Sequence, residues 1–275
     1  MKRQLSPQSE KSKGLLWLIF ELARAETIKS LRVPVFVVST LVFPSLLFIL
    51  FGLPNADITM PGGTKVGNLL IASFGAYGLL GVSIFSFGVA VAVERGQGWM
   101  KLLRTTPMPA WAYFVAKLIM VILFNILVLL VLFAVGYLFA GIRMSVLEWL
   151  KLALVLIVGA LPFSTLGFSL GYWAGPNSAS PVANLVYLPL SFASGLFMPL
   201  SQLPKLVQNL APYLPTYHYG QLVWMVAGNK EDVAKLMGPP SGSLTIHVLF
   251  LLATFIIFGI LAIIGFNRDE RRNYN

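Results

Sequence analysis

Cysteine is absent from the 275-residue chain, which excludes disulfides, thiolate metal sites and a thiol nucleophile. Charge is nearly as scarce. Charged side chains make up 11% of the chain, against roughly 25% in an ordinary soluble domain. A globular protein of this length must cover its surface with polar groups, and this chain carries too few. Histidine occurs only at His218 and His247, with no HExxH and no clustered carboxylates, so no metal site is expected. No GxxxxGK[ST] occurs either, so no cradle for ATP phosphates is visible in the chain.

What the chain does have is length without charge. Hydrophobic residues make up 57% of it, and a spanning helix needs about 20 mostly apolar residues in a row. Such runs recur at 33–53, 66–93, 111–142 and 244–266, the third with Lys117 expected to snorkel to the interface. Residues 152–204 carry no charge at all. That run is too long for one span and divides at Gly175-Pro176-Asn177 and Pro181 into 152–174 and 181–200. The expected fold is therefore all-α: a polytopic membrane protein with six transmembrane helices. A disordered cytoplasmic tail, 1–14, precedes a single transmembrane domain, 15–275.

The net charge of +10 is read through the side on which the bases lie. With the N-terminus inside, fourteen of the twenty bases fall on the cytoplasmic side and six outside. The positive-inside rule then puts both termini in the cytoplasm, and the chain in the plasma (cell inner) membrane among its lipids. Nucleic acid is not an expected partner, because no basic face with stacking aromatics is visible. A cleaved signal peptide is not expected, because the apolar run 15–20 is stopped by Glu21.

Four segments are not simple spans. Residues 15–32 read as an interfacial helix in the headgroup region. The loop 94–110, ERGQGWMKLLRTTPMPA, carries a short helix with Trp99, Leu102 and Leu103 on one side and Lys101 and Arg104 on another, stopped by Pro107 and Pro109. The segment 200–222 is too rich in proline for one helix and reads as an outer re-entrant segment of short helices. It joins the outer loop 223–243, giving a short outer helical hairpin before the last span.

Gly167-Phe168-Ser169-Leu170-Gly171 matches the GxSxG nucleophile pattern, which has meaning at a strand-to-helix elbow. Here it lies within a span. Gly167, Gly171 and Gly175 recur every four residues, as in close helix packing, and that is the reading adopted. No catalytic site is expected in this chain. An intramembrane serine hydrolase using Ser169 stands as an alternative, and a non-transporting sensory or assembly membrane protein as another. The spans lack the buried charge that ion-coupled carriers usually leave, so the bundle interior suits hydrophobic or amphipathic cargo.

Two segments carry a resemblance to a known family. In ERGQGWMKLLRTTPMPAWAYFVAKL, the residues Glu94, Arg95, Gly98, Leu102, Leu103, Thr106, Pro107, Trp111 and Lys117 resemble the cytoplasmic loop of type 2 ABC exporter permeases. In SGLFMPLSQLPKLVQNLAPYLPTYHY, the residues Gly195, Phe197, Pro199, Leu203, Pro204, Pro212 and Pro215 resemble that family's element before the last span. One departure is the single acid in Glu94-Arg95-Gly96-Gln97, where the family usually has two. The resemblance implies the membrane subunit of an ABC transporter that exports a drug, lipid or peptide. It implies a dimer with a second copy or a sister permease, and P-loop ATPase subunits on the cytoplasmic face. ATP and Mg would be bound by that partner, with no cofactor in this chain. Glu94, Arg95, Gly98, Trp99, Lys101, Leu102, Leu103, Arg104, Thr106 and Pro107 would couple to the ATPase, and the proline-rich segment would form an outer gate.

Overall fold

The computed structural model describes residues 14–105, 109–238 and 242–272. Among them the chain is helical, with a single isolated antiparallel bridge between Thr59 and Lys65. We number the helices α1 (Leu15–Leu31), α2 (Pro34–Asn55), α3 (Val66–Gly96), α4 (Trp99–Arg104), α5 (Ala110–Leu138) and α6 (Val146–Trp173). There follow α7 (Ala179–Ala193), α8 (Lys205–Leu210), α9 (Pro215–Ala227), α10 (Lys230–Met237) and α11 (Leu244–Arg272). Glu94 joins α1 to α3, and Asp269 joins α11 to α3, so α1, α4 and the end of α11 lie at one end of the bundle. The loop 55–65 and α10 lie at the other.

Among the described residues, five helices are long and apolar enough to cross a membrane: α2, α3, α5, α6 and α11. The expected run 181–200 is not among them. α7 is apolar but has 15 residues, about 22 Å at 1.5 Å per residue, short of a hydrocarbon core of about 30 Å. It stops at Ala193 because the chain turns at Gly195, where φ is +79°, a conformation glycine adopts without strain.

Proline shapes α2. Two π-helical turns, Val38–Val42 and Phe48–Gly52, each end two residues before a proline, Pro44 and Pro54. A proline has no N–H and its ring crowds the carbonyl four residues back, so the helix widens upstream of it. A third π turn, Phe85–Val89 in α3, has no proline near it.

α3 is the axis of the core, buried along most of its length. It packs on α2, α5, α6, α7 and α9. Small residues allow this. A Cβ at Gly78 would meet Pro44 and Val128, and one at Gly88 would approach the Gly167 carbonyl oxygen. Within a membrane such close backbone approach supplies the dispersion contacts that hold helices together. α9 is enclosed by α3, α6 and α11. It is tied down by Trp224 Nε1 donating to Ser73 Oγ at 2.7 Å and by the Tyr219 hydroxyl donating to the Leu156 carbonyl at 2.7 Å. The proline-rich stretch before it forms a 3-10 turn, α8 and a second 3-10 turn, and Pro215 opens α9 at its first turn, where a missing N–H is harmless.

Candidate coupling site and lateral groove

The α4 end holds a cluster of buried charge. Lys117 on α5 places Nζ 2.8 Å from Glu26 Oε2 on α1 and 2.9 Å from Glu94 Oε1 on α3. Lys29 of α1 reaches the same Glu94 oxygen, and the Tyr113 hydroxyl donates to the other. Glu26, Glu94 and Lys117 are all buried. Spacing explains the meeting. Glu26 and Lys29 lie three apart on α1, and Tyr113 and Lys117 four apart on α5, so each pair shares a helix face. Two ammoniums face two carboxylates, which leaves the cluster neutral. Lys117 thus does not snorkel as expected: its ammonium is held inward by two carboxylates, which it neutralises together with Lys29.

Arg95, the next residue, points to another wall. It donates to the Gly171 carbonyl oxygen and to Asp269 Oδ1, both at 2.5 Å, and its guanidinium lies 4.9 Å from the Tyr172 ring centre. The Glu94-Arg95 pair therefore ties the end of α3 to α1 and α5 on one side and to α6 and α11 on the other. A Cβ at Gly96 would collide with the Pro176 ring, and Gly98 turns the chain at φ +78° into α4. In α4, Trp99 packs inward beside Lys29, while Lys101 and Leu102 are exposed. Leu103 and Arg104 belong to α4, but their side chains, like Thr106 and Pro107 entirely, lie outside the described residues. Sequence reasoning missed Glu26, Lys29, Tyr113, Tyr172 and Asp269. The three- and four-residue spacings were visible, but the partner helices were not.

Above this cluster a cavity of about 830 Å³ opens between α1, α2, α3, α5 and α7. That is within the range of about 300–1,000 Å³ for small-molecule sites. Its floor is Glu26, Lys29, Glu94 and Lys117, and its walls are apolar side chains such as Phe36 and Phe85. Two of the three π turns contribute to it, through Ser39 and Thr40 and through Ser86. Ser86 Oγ is buried without a hydrogen-bond partner among the described residues. The whole is an apolar groove with a polar, charge-balanced floor.

The outer residues singled out by sequence fall into one region. Phe197 sits among Phe51, Phe74, Tyr77 and Phe192, with ring centres 4.3–6.2 Å apart. Gly195 makes the turn before it. Pro199 precedes the first 3-10 turn, half-buried Leu203 packs on the Leu200 cluster, and Pro204 caps α8. The Pro212 carbonyl receives a bond from His218, and Pro215 starts α9. Nearby, the carboxylate of Asp232 accepts 2.9 Å bonds from the backbone N–H groups of Gly62 and Thr64, fastening the 55–65 loop onto α10. Burial raises the Asp232 carboxyl, but these bonds and those from the Thr64 and Asn229 side chains outweigh it, and the net shift is downward.

Gly167 and Gly171 face α3, where added Cβ atoms would come within 2.8–2.9 Å of the carbonyls of Ser83 and Phe87. Gly175 lies past the end of α6, where a Cβ would approach only Ser178 Oγ, so the close-packed stripe stops at Gly171. Ser169 lies in the same helix near the α4 end, whereas the two histidines bond to each other near the opposite end.

Comparison with known proteins agrees with this architecture. The family model of the ABC-2 type transporter matches residues 18–227, from α1 to the last residue of α9. The chain is also 29% identical over 240 residues to YvfS of Bacillus subtilis (strain 168), a protein whose name gives it provisionally as a transport permease. That alignment covers 86% of this chain and 92% of YvfS. With most of its length matched and five membrane-length apolar helices, this chain is a membrane permease belonging to the ABC-2 type transporter family.

Proposed function

We propose that the chain is the membrane-spanning subunit of an ATP-driven exporter that moves a hydrophobic or amphipathic molecule, a drug, lipid or peptide, out of the cytoplasm or inner leaflet. A separate P-loop ATPase binds ATP and Mg and docks at the α4 end. α7 completes six crossings, held short by local thinning of the bilayer, and both termini face the cytoplasm of the cell inner membrane. Two permeases pair, as identical copies or as sisters. The segments 94–110 and 195–215 act as coupling loop and outer gate.

The observation that carries this reading is the double membership of Glu94. It lines the floor of the groove and stands at the end of the helix that leads into α4. A push on α4 displaces a carboxylate bonded to α1 and α5, and so moves three walls of the groove together. Rigid, fully bonded groups transmit displacement where a solvated loop dissipates it.

The test is reconstitution with the ATPase that co-purifies in stoichiometric amount. Glu94→Gln keeps the shape and removes the charge. Substrate-stimulated ATP hydrolysis falls while basal hydrolysis and membrane insertion persist. Stimulation equal to that of the native chain removes Glu94 from coupling. Reproducible absence of any ATPase from the intact purified chain removes the exporter reading.

A further inference from the structure

The chain's two histidines meet where α9 and α11 begin. His218 Nδ1 lies 2.7 Å from His247 Nδ1, and both residues are buried. His218 Nε2 lies 2.9 Å from the Pro212 carbonyl oxygen in the 3-10 turn before α9. Phe250, one turn along α11, stacks on the His218 ring at 3.8 Å between centres.

These contacts determine the tautomers. A carbonyl oxygen only accepts, so His218 Nε2 carries a hydrogen and donates it. A neutral imidazole has one N–H, so His218 Nδ1 is a lone pair. The hydrogen in the Nδ1–Nδ1 contact must then come from His247. That leaves His247 Nε2 as a bare lone pair, and it is buried without a partner among the described residues.

We propose that His247 Nε2 is a proton-binding site, and that proton uptake there opens the seam between α9 and α11. An unpartnered lone pair in an apolar place has a modest cost. Protonation turns it into a buried cation with an N–H that has no acceptor, which costs far more unless water or a carboxylate reaches it. The new charge does not break the bond to His218, because Nδ1–H still donates. It demands solvation at Nε2, and the way to supply that is to part the helices. The closed seam is therefore favoured at high pH and lost as the pH falls through the histidine range.

The neighbouring elements hold little to offset that charge. α9 and α11 pack on α6, and α9 also on α3, α7 and α10. On α6 the acid is Glu148, whose side chain is taken up by the Ser145 backbone, and the base is Lys151. α10 carries Lys230, Glu231, Asp232 and Lys235, of which Asp232 is taken up by the 62–64 loop. The charges of α3, Glu94 and Arg95, and those of α11, Arg268 to Arg271, stand at the α4 end. These elements also carry the hydroxyls of Tyr77, Tyr172, Tyr187, Tyr217 and Tyr219.

The absence of cysteine gives a clean background for the test. Imidazole ¹⁵N shifts of the purified full chain in lipid nanodiscs are followed from pH 8 to pH 5. In parallel, spin labels are placed at Tyr213→Cys and Leu249→Cys, both exposed positions, and the labelled chain is diluted with unlabelled chain. The expected result is a His247 Nε2 that is unprotonated at pH 8 and protonated by pH 5, with the label distance shifting to longer values over the same range. His247→Gln keeps an N–H for His218 and does not titrate, so its distance stays constant. A native distance that does not change, or a His247→Gln distance that lengthens equally, overturns the proposal. If His247→Gln does not fold, the native ring titration decides: an Nε2 already protonated at pH 8, or still bare at pH 5, overturns it.

Discussion

Replacing Lys117 with methionine tests the buried charge cluster most directly. The ammonium lies 2.8 Å from Glu26 and 2.9 Å from Glu94. Methionine has similar length and apolar volume, so packing is largely conserved and charge is the main change. Glu94 keeps Lys29 and the Tyr113 hydroxyl, but Glu26 keeps only Lys29 at 3.8 Å. The cluster goes from neutral to one uncompensated buried negative charge. Breaking a buried pair in this way costs about 3–5 kcal/mol. At about 2–4 °C per kcal/mol for a chain of this size, melting falls by roughly 6–20 °C. The intrinsic fluorescence of the six tryptophans reports it in detergent without any label. Adding Glu26→Gln to Lys117→Met removes the stranded charge and restores part of the loss, a non-additivity that a mere packing defect would not give. A Lys117→Met chain melting within about 2 °C of the native one refutes the reasoning, because a snorkelling lysine is worth no more than an exposed pair.

Three further outcomes follow from the fold. Asp232 has a carboxyl held below its usual range, so its contribution to stability is present above about pH 4 and fades as the pH drops through its folded value. Melting scans from pH 7 to pH 3 will show this acid-side loss in the native chain and a flatter profile in Asp232→Ala. Gly171→Val drives a Cβ to within 2.9 Å of the Phe87 carbonyl, and overpacking of about 1–3 kcal/mol or more should lower melting and the yield of monodisperse protein on size exclusion. Trp224→Phe leaves Ser73 Oγ without its indole donor at the α3–α9 contact, a loss of about 1–2 kcal/mol read from the same melting curve.

The α4 end illustrates how far the sequence could be read. The segment 94–110 stood out because charges and prolines interrupt a mostly apolar chain, and its motif pointed to a family that the match over residues 18–227 bears out. Glu94 was singled out on that basis. Its meeting with Lys117, a residue of the same motif, and with Glu26 was not legible, because these lie 23 and 68 residues away on other helices. Lys117 was misread for the same reason. A lone lysine near a helix start looks the same in sequence whether its stem snorkels outward or its head meets two acids. The run 181–200 was read from its lack of charge and the turn-formers before it, and a turn at Gly195 ends the helix at Ala193.

Composition by itself determined the class of protein. Too little charge to coat a globule, and long apolar runs separated by basic loops, leave helices in a membrane as the way to satisfy every backbone group. Motif order was enough to suggest the family. The tertiary structure alone decided which polar groups meet: the four-charge floor of the groove, the turning of Arg95 towards α6 and α11, the closing of the 55–65 loop on Asp232, and the pairing of two histidines from different helices. Periodicity is local, set by 3.6 residues per turn, so a sequence states which face a residue occupies. The helix that comes to cover that face depends on how the whole bundle packs.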